Sequence, residues 1–266
     1  MATINGTNEN NTLYGTAWAD LIRGFDGDDR IYGRAGNDTI YGGDDHDSIW
    51  GENGDDIIVA GKGEDRVWGG AGNDRITDES GNDMLDGGDG NNLINAGEGN
   101  DTLRAGTGSD TINAGSGNDI VSSGAGGDRI FGLEGDDRID AGAGHDILIG
   151  GAGRDRLSGG AGADRFVFNS VDDSGPGWGQ RDNILDFQPG IDIIDLRAID
   201  ADTTLAGDQA FTFIGEARFG KVAGQLAWSK VKDFKLVQGD VDGDGRPDFE
   251  IQVYGIAAVE KSMFLL

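Results

Sequence analysis

From Gly6 to Val167 an apolar residue returns at every ninth position: Leu13, Ile22, Ile31, Ile40, Ile49, Ile58, Val67, Ile76, Leu85, Ile94, Leu103, Ile112, Val121, Ile130, Ile139, Leu148, Leu157 and Phe166. No insertion or deletion breaks the register across these eighteen copies. Numbered as nine positions, the copy Gly33–Tyr41 reads GRAGNDTIY, with the apolar residue at position 8. Position 6 is Asp in sixteen copies and Asn in two, Asn11 and Asn92. Position 4 is Gly in fifteen; the exceptions are Glu9, Trp18 and Asp45. A disordered Gly/Asp-rich linker has no need of an apolar residue every ninth position, so the pattern specifies structure.

Three residues around position 8 form a short strand. Its centre points inward and its neighbours at 7 and 9 point outward, because side chains alternate along a strand. The six residues before it form a turn, where Gly at 1, 2 and 4 permits φ > 0. Two nonapeptides then make one coil, strand–turn–strand–turn. The expected fold is all-β: a parallel β-roll of about nine coils over residues 1–168, followed by a β-rich capping region over residues 169–266.

Composition sharpens this picture. The chain has 50 Gly among 266 residues but only 3 Pro and no three-residue period, which excludes collagen. The net charge of −28 repels nucleic acid and anionic lipid and attracts divalent cations. There is no Cys, so disulfides and thiolate metal sites are excluded. The N-terminus MATINGTNEN lacks the basic and apolar regions of a secretory signal peptide. No apolar run reaches the ~20 residues of a membrane helix.

A narrow double file of Ile, Leu and Val cannot by itself offset the ordering entropy of Gly-rich turns. Calcium is the expected supplement. Turns two copies apart stack on one edge, each bringing a position-6 carboxylate and backbone carbonyls. Six to eight hard oxygens at about 2.3–2.6 Å suit Ca²⁺ better than Mg²⁺. The candidate ligands are Asp20, Asp29, Asp38, Asp47, Asp56, Asp65, Asp74, Asp83, Asp101, Asp110, Asp119, Asp128, Asp137, Asp146, Asp155 and Asp164. Residues 1–168 carry 32 acidic and 12 basic side chains, a surplus that a row of cations neutralises. Asn92 replaces one carboxylate, and Asp78–Glu79–Ser80 replaces a Gly-Gly opening, so weaker or missing ions are expected near residues 78–95. His46 and His145 fall at position 5 and read as solvated turn residues rather than ligands.

Position 9 points outward. Tyr14, Tyr32, Trp50 and Trp68, eighteen residues apart, make one aromatic file. It reads as a cross-strand ladder, as a contact for an extracellular protein or a second copy, or as a glycan-stacking platform. Phe131, Ile149 and Val167 make an apolar file expected to pack under the C-terminal region.

The nonapeptide matches GGxGxDxUx, the repeat of the RTX, or hemolysin-type calcium-binding, family. FVFNSVDDSGPGWGQRDNILDFQPGIDIIDLRAIDAD (166–202), FTFIGEARFGKVAGQLAW and GDVDGDGRPDFEIQVYG resemble the module that closes the roll in serralysin-type proteases and alginate C5-epimerase R-modules. The resemblance implies calcium-dependent folding outside the cell. The terminal VEKSMFLL resembles the uncleaved signal that RTX proteins present to type I secretion machinery, and it also reads as a last strand of the cap. FKLVQGDVDGDGRPDFEIQVYG reads as a β-hairpin. Its turn, Asp240-x-Asp242-x-Asp244-Gly, opens like an EF-hand loop but has Ile251 where the closing acid is expected, so a metal-free turn is the first reading and a further Ca²⁺ site the second.

No HExxH, GxSxG or phosphate-loop motif is present. The repeats begin almost at once after Met1, without the catalytic domain of the relatives. The expectation is a secreted, non-enzymatic calcium-binding protein with a rigid surface for binding. The alternatives are a nodulation-type signalling or membrane-active RTX protein, and an accessory binding module of a secreted protease or polysaccharide-modifying enzyme.

Overall fold

The computed structural model describes all 266 residues. Strands alternate between two parallel sheets, each stacked on the strand eighteen residues earlier, and wind into a β-solenoid of about nine turns. Ile22 lies on Ile40, Ile40 on Ile58, and Ile31 on Ile49, in register. The two files of position-8 side chains meet in the middle. From Ile22 to Phe166 every one of them is at most 1% exposed, which makes the roll's core a column two side chains wide. Leu13 and Ile4, at the open N-terminal end, are only partly covered.

The strands are longer than a three-residue reading allows. Many run six residues, as in Thr39–Asp44 and Thr111–Ser116, through positions 7 to 3. Position 1 therefore points inward like position 8, and Ala60, Ala96, Ala105, Ala114 and Ala141 are fully buried there. Positive φ falls at positions 2 and 4, for example Gly43 (137°) and Gly36 (113°). At Gly43 a side chain would also collide with the carbonyl of Phe25 in the coil before. Phe25, Arg34, Glu52 and Leu133 at position 2 hold the same left-handed conformation at φ of 73–81°. Those four tolerate a backbone region that is costly without Gly.

Parallel stacking continues past the last nonapeptide. Asp182–Ile184 stacks on Arg156–Ser158, and Ile193–Asp195 stacks on Arg165–Val167. Phe249–Tyr254 and the terminal Phe264–Leu265 add one more layer. The long insertion between these layers folds as a meander: Gln225–Lys230, Phe234–Asp240 and Phe249–Tyr254 pair antiparallel, with the expected hairpin over residues 240–248. Phe211, Phe249, Trp228 and Val237 continue the core beneath it. On the outer face the Val171–Ser174 turn packs on strand Ile147–Ala152 and covers Ile149.

A column so narrow leaves each core side chain few neighbours to relax into. Ile112→Ala is expected to cost about 2–5 kcal/mol in the calcium-saturated protein. Urea unfolding followed by circular dichroism measures it, and a loss well under 1 kcal/mol would show that the stacked column is not what carries the coil.

Candidate metal centre

Each turn brings its position-6 side chain back under the coil before it. The Oδ1 of Asp38 accepts the backbone N–H of Asp20 at 2.7 Å, Asp47 that of Asp29 at 2.8 Å, and Asp56 that of Asp38 at 2.7 Å. This rung repeats along both edges of the roll. One file runs from Asp20 through Asn92 to Asp164; the other runs from Asn11 through Asp83 to Asp155. Position 5 makes a second, solvent-side ladder: Asn73 accepts from Asn91 N–H at 2.9 Å and Asn118 from Asp136 N–H at 2.7 Å. His46 and His145 belong to that outer ladder, each accepting a backbone N–H of the next coil through Nδ1 (2.6 and 2.9 Å).

The second carboxylate oxygen decides the chemistry. In fifteen of the sixteen candidate aspartates the Oδ2 atom is buried and meets no donor. Where position 1 is Gly, its Cα lies beside that oxygen. A Cβ on Gly33 would fall 2.7 Å from Asp38 Oδ2 and 2.9 Å from the Gly51 carbonyl oxygen. On Gly69 it would fall 2.5 Å from Asp74 Oδ2 and 2.7 Å from Gly87 O. Missing side chains thus leave a cradle lined by a carboxylate and a carbonyl, an oxygen-only donor set that fits a hard divalent cation.

Electrostatics agree. Burial pushes Asp47 and Asp155 up to about 8, and Asp56, Asp101 and Asp137 to about 7. Asp38, Asp65, Asp74, Asp110 and Asp146 rise to about 6 for the same reason. Neighbouring position-6 carboxylates add repulsion at most of them. No Lys or Arg answers this charge: the ion pairs of the structure lie at Asp44, Asp136, Asp195 and Glu250.

The exceptions supply a protein donor in place of a cation. Asp20 is one: its Oδ2 accepts from Thr16 N–H and Thr16 Oγ, both at 2.7 Å, so although burial pushes it up, the Ala2 and Thr16 donors hold it below the usual range. Asn11 closes against Thr7 in the same way (Thr7 N–H to Oδ1, 2.6 Å). Asn92 donates its amide to Gly90 O at 3.3 Å and Ala105 O at 3.2 Å.

Two file members escape the nine-residue register. Asp182 accepts from Asp155 N–H at 2.7 Å and Asp192 from Asp164 N–H at 3.0 Å, each extending one file by a rung. Asp182 Oδ2 is open like the others, whereas Asp192 Oδ2 accepts Gln188 N–H at 2.7 Å. The signal for both was the D-x-U triplet in Asp182-Asn183-Ile184 and Asp192-Ile193-Ile194. Asp78 is a third addition, buried at position 1 with its own Oδ2 open.

On the outer face the aromatic file is a continuous stack. Tyr14–Tyr32, Tyr32–Trp50 and Trp50–Trp68 have ring centroids 5.1, 4.6 and 4.9 Å apart and are within 11° of parallel. Arg34 covers Tyr14 at 5.2 Å. The inner rings spend both faces on each other and present only edges to solvent. In the C-terminal hairpin turn, Asp240 accepts from Gly243 N–H (2.7 Å) and Gly245 N–H (3.0 Å), so its two oxygens are satisfied by the turn itself.

Residues 114–265 match the Peptidase M10 serralysin C terminal family. Overlapping segments from residue 5 to residue 130 match the RTX calcium-binding nonapeptide repeat. The chain belongs to the serralysin C-terminal family and carries RTX calcium-binding repeats. Among solved structures, the AlgE6R3 subunit of the Azotobacter vinelandii mannuronan C5-epimerase is 28% identical, with a TM-score of 0.42 over 56% of this chain and 78% of that one. The AlgE6R2 subunit is 29% identical, with a TM-score of 0.40 over 55% and 90%. The extracellular lipase LipA of Serratia marcescens is 15% identical, with a TM-score of 0.37 over 90% of this chain and 40% of that one. No curated protein sequence matches the chain.

The open oxygens bear on two measurable properties of the protein. The first concerns pH. Asp38, Asp47, Asp56, Asp65, Asp74, Asp101, Asp110, Asp137, Asp146 and Asp155 have folded pKa values above the ~3.9 of an unfolded Asp. The metal-free fold therefore binds more protons than the unfolded chain. Its stability is fully present below about pH 4 and is lost as pH rises through about 6 to 8. In EGTA, far-UV circular dichroism should show more β structure at pH 5 than at pH 8. A flat profile would show that these carboxylates do not oppose the metal-free fold. The second concerns the interrupted file. Asn92→Asp removes the internal donor and adds an open oxygen, so calorimetric Ca²⁺ stoichiometry should rise by at least one while stability in EGTA falls. Unchanged stoichiometry would refute the cradle as the binding unit.

Proposed function

We propose that this is a secreted, non-enzymatic calcium-binding protein that acquires its fold outside the cell and offers a rigid β-roll surface for binding. One observation carries the reading: two files of buried carboxylate oxygens without donors, which the chain cannot stabilise alone at neutral pH. Bound Ca²⁺ supplies positive charge and up to eight coordination positions for such oxygens. The ligands we assign are the aspartates from Asp29 to Asp164 with open Oδ2, joined by Asp182; Asp20 is left out because Thr16 satisfies it. The calcium-responsive roll comprises residues 1–168 together with the Asp182 rung, and the rest of residues 169–266 closes its end.

Calcium in a cytosol is too scarce for sites of the extracellular affinity class, which bind at about 10⁻⁴–10⁻³ M. The chain therefore stays unfolded inside and folds where millimolar calcium favours the folded state by mass action. The C-terminal tail fits that order. In the folded chain Met263 and Phe264 are buried and Phe264–Leu265 pairs with Ile193–Asp195. An exporter reads VEKSMFLL only before folding. No helix is long and apolar enough to cross a membrane.

A non-enzymatic role accords with how the repeat spends its carboxylates: position 6 on the inner ladder and much of position 5 on the outer one. The aromatic file serves as a stiffening ladder, since a sugar stacks on ring faces and these are covered by one another. A partner there would meet ring edges.

The test is a Ca²⁺ titration of the purified chain by far-UV circular dichroism, with Mg²⁺ as control. A cooperative gain of β structure with Ca²⁺ alone is expected. A chain already β-rich in EGTA at pH 7.5 would overturn export-coupled folding.

A further inference from the structure

Position 1 of the repeat is Gly, Ala or Ser everywhere except at Asp78. Because position 1 points into the roll, the Asp78 carboxylate enters the turn instead of solvent and is 5% exposed. There it meets two position-6 carboxylates of its own edge. One oxygen from each of Asp65, Asp78 and Asp83 lies within 4.8 Å of the other two. Asp65 and Asp83 are 1% and 3% exposed.

The hydrogen-bond accounting leaves three oxygens over. Asp65 Oδ1 accepts Asp47 N–H and Asp83 Oδ1 accepts Asp65 N–H, both at 2.7 Å; Asp78 Oδ1 accepts Gly61 N–H at 3.1 Å. The three Oδ2 atoms are buried and no donor reaches them. None of the protein's ion pairs involves these residues. Three acceptor-only groups converging in a dry pocket repel each other unless a cation lies among them or a proton is shared between two of them. Carboxylate oxygens with neighbouring carbonyls select a hard cation, and affinity for Ca²⁺ rises with the number of charged ligands. The other cradles of the roll offer only position-6 carboxylates.

We propose that Asp65, Asp78 and Asp83 form a calcium site of a different class from the rest of the roll, with Asp78 as its third carboxylate, and that it binds its ion more tightly than any other site in the chain. The inference rests on the reading that position-6 carboxylates bind calcium. It reverses the simplest sequence expectation, in which losing the Gly-Gly opening at 78–80 weakens the site. On the opposite edge at nearly the same height, Asn92 removes a carboxylate and closes its own turn. Asp78 supplies on one edge the buried carboxylate that Asn92 lacks on the other.

The experiment is isothermal titration of Ca²⁺ into the full chain and into Asp78→Gly and Asp78→Asn. Gly restores the residue the repeat prefers; Asn keeps the shape and removes the charge. The unsubstituted chain should show one ion per chain bound at least about tenfold tighter than the remainder. Both variants should lose that class, keep the weaker one, and reach the same circular dichroism at saturating calcium. Superimposable isotherms for the unsubstituted chain and Asp78→Asn would overturn the proposal and leave a proton shared between Asp78 and Asp83. A measurement on the unsubstituted chain alone adds a second check: after dialysis against a weak chelator, one calcium per chain should remain by atomic absorption, and none remaining would also overturn it. Failure of the broader reading looks different, because the unsubstituted chain would then gain no structure with calcium at all.

Discussion

The roll depends on burying a carboxylate oxygen in fifteen of its eighteen turns without giving it a hydrogen-bond donor. The first oxygen of each position-6 Asp holds the coil before it through a backbone N–H, which fixes the stacking distance and register. The second is left facing carbonyls. Removing a carboxylate from water is costly, and the elevated pKa values along both files express that cost. The apolar column is continuous, yet only two side chains wide, and Gly-rich turns lose much entropy on ordering. Placing unsatisfied charge in so narrow a scaffold penalises the metal-free fold, and that penalty is the physical ground for the calcium-dependent folding proposed above.

The protein also contains its own set of alternatives to a cation. Thr16 gives an N–H and a hydroxyl to Asp20; Gln188 gives an N–H to Asp192; Asn92 turns an acceptor into a donor and satisfies two carbonyls. Asp20 and Asp192 are the first and last carboxylates of one file, and Asn92 divides it. That file is closed at both ends by ordinary hydrogen bonds, so open oxygens lie only between coils that stack on both sides. At the C-terminal end, Asp186 accepts from Ser158 Oγ (2.5 Å), Gly159 N–H (3.0 Å) and Gly160 N–H (2.8 Å), and Gln188 donates its side-chain amide to Gly160 O. Closing residues therefore satisfy the last turn of that file, while Asp182 leaves an open oxygen at the end of the other.

Much of this was legible in the sequence because a solenoid turns one-dimensional periodicity into structure. The inward Ile/Leu/Val file, the two sheets and the position-6 carboxylates all follow from a register that never slips between Gly6 and Val167. What was not legible concerns direction. Taking the strand as three residues long made position 1 part of a turn, so Asp78 read as a defect when it points into the core side of the coil. Asp182 and Asp192 were hidden because the spacing to the previous file member grows from 18 to 27 or 28 residues, which defeats a periodicity search although the D-x-U triplet survives. The closure of Asp20 by Thr16 needed geometry, since a Thr at position 2 differs from Gly on paper only by its turn propensity.

The aromatic file shows how a repeat can stiffen one end of such a roll without metal. Tyr14, Tyr32, Trp50 and Trp68 sit on the first coils, where Asn11 and Asp20 already replace open oxygens with closed ones. Stacked rings contribute dispersion and area burial that need no ion. The file stops where the register places Asp86 beside Trp68. Beyond it the coils rely on their carboxylates, until the cap restores a broad apolar core with Phe211, Trp228 and Phe249. The rings and the cap thus add reinforcement that needs no ion near the two ends of the roll, while the coils between them have only the two-side-chain column. Unfolding on calcium withdrawal should therefore start in the coils between them, which neither the rings nor the cap can reach.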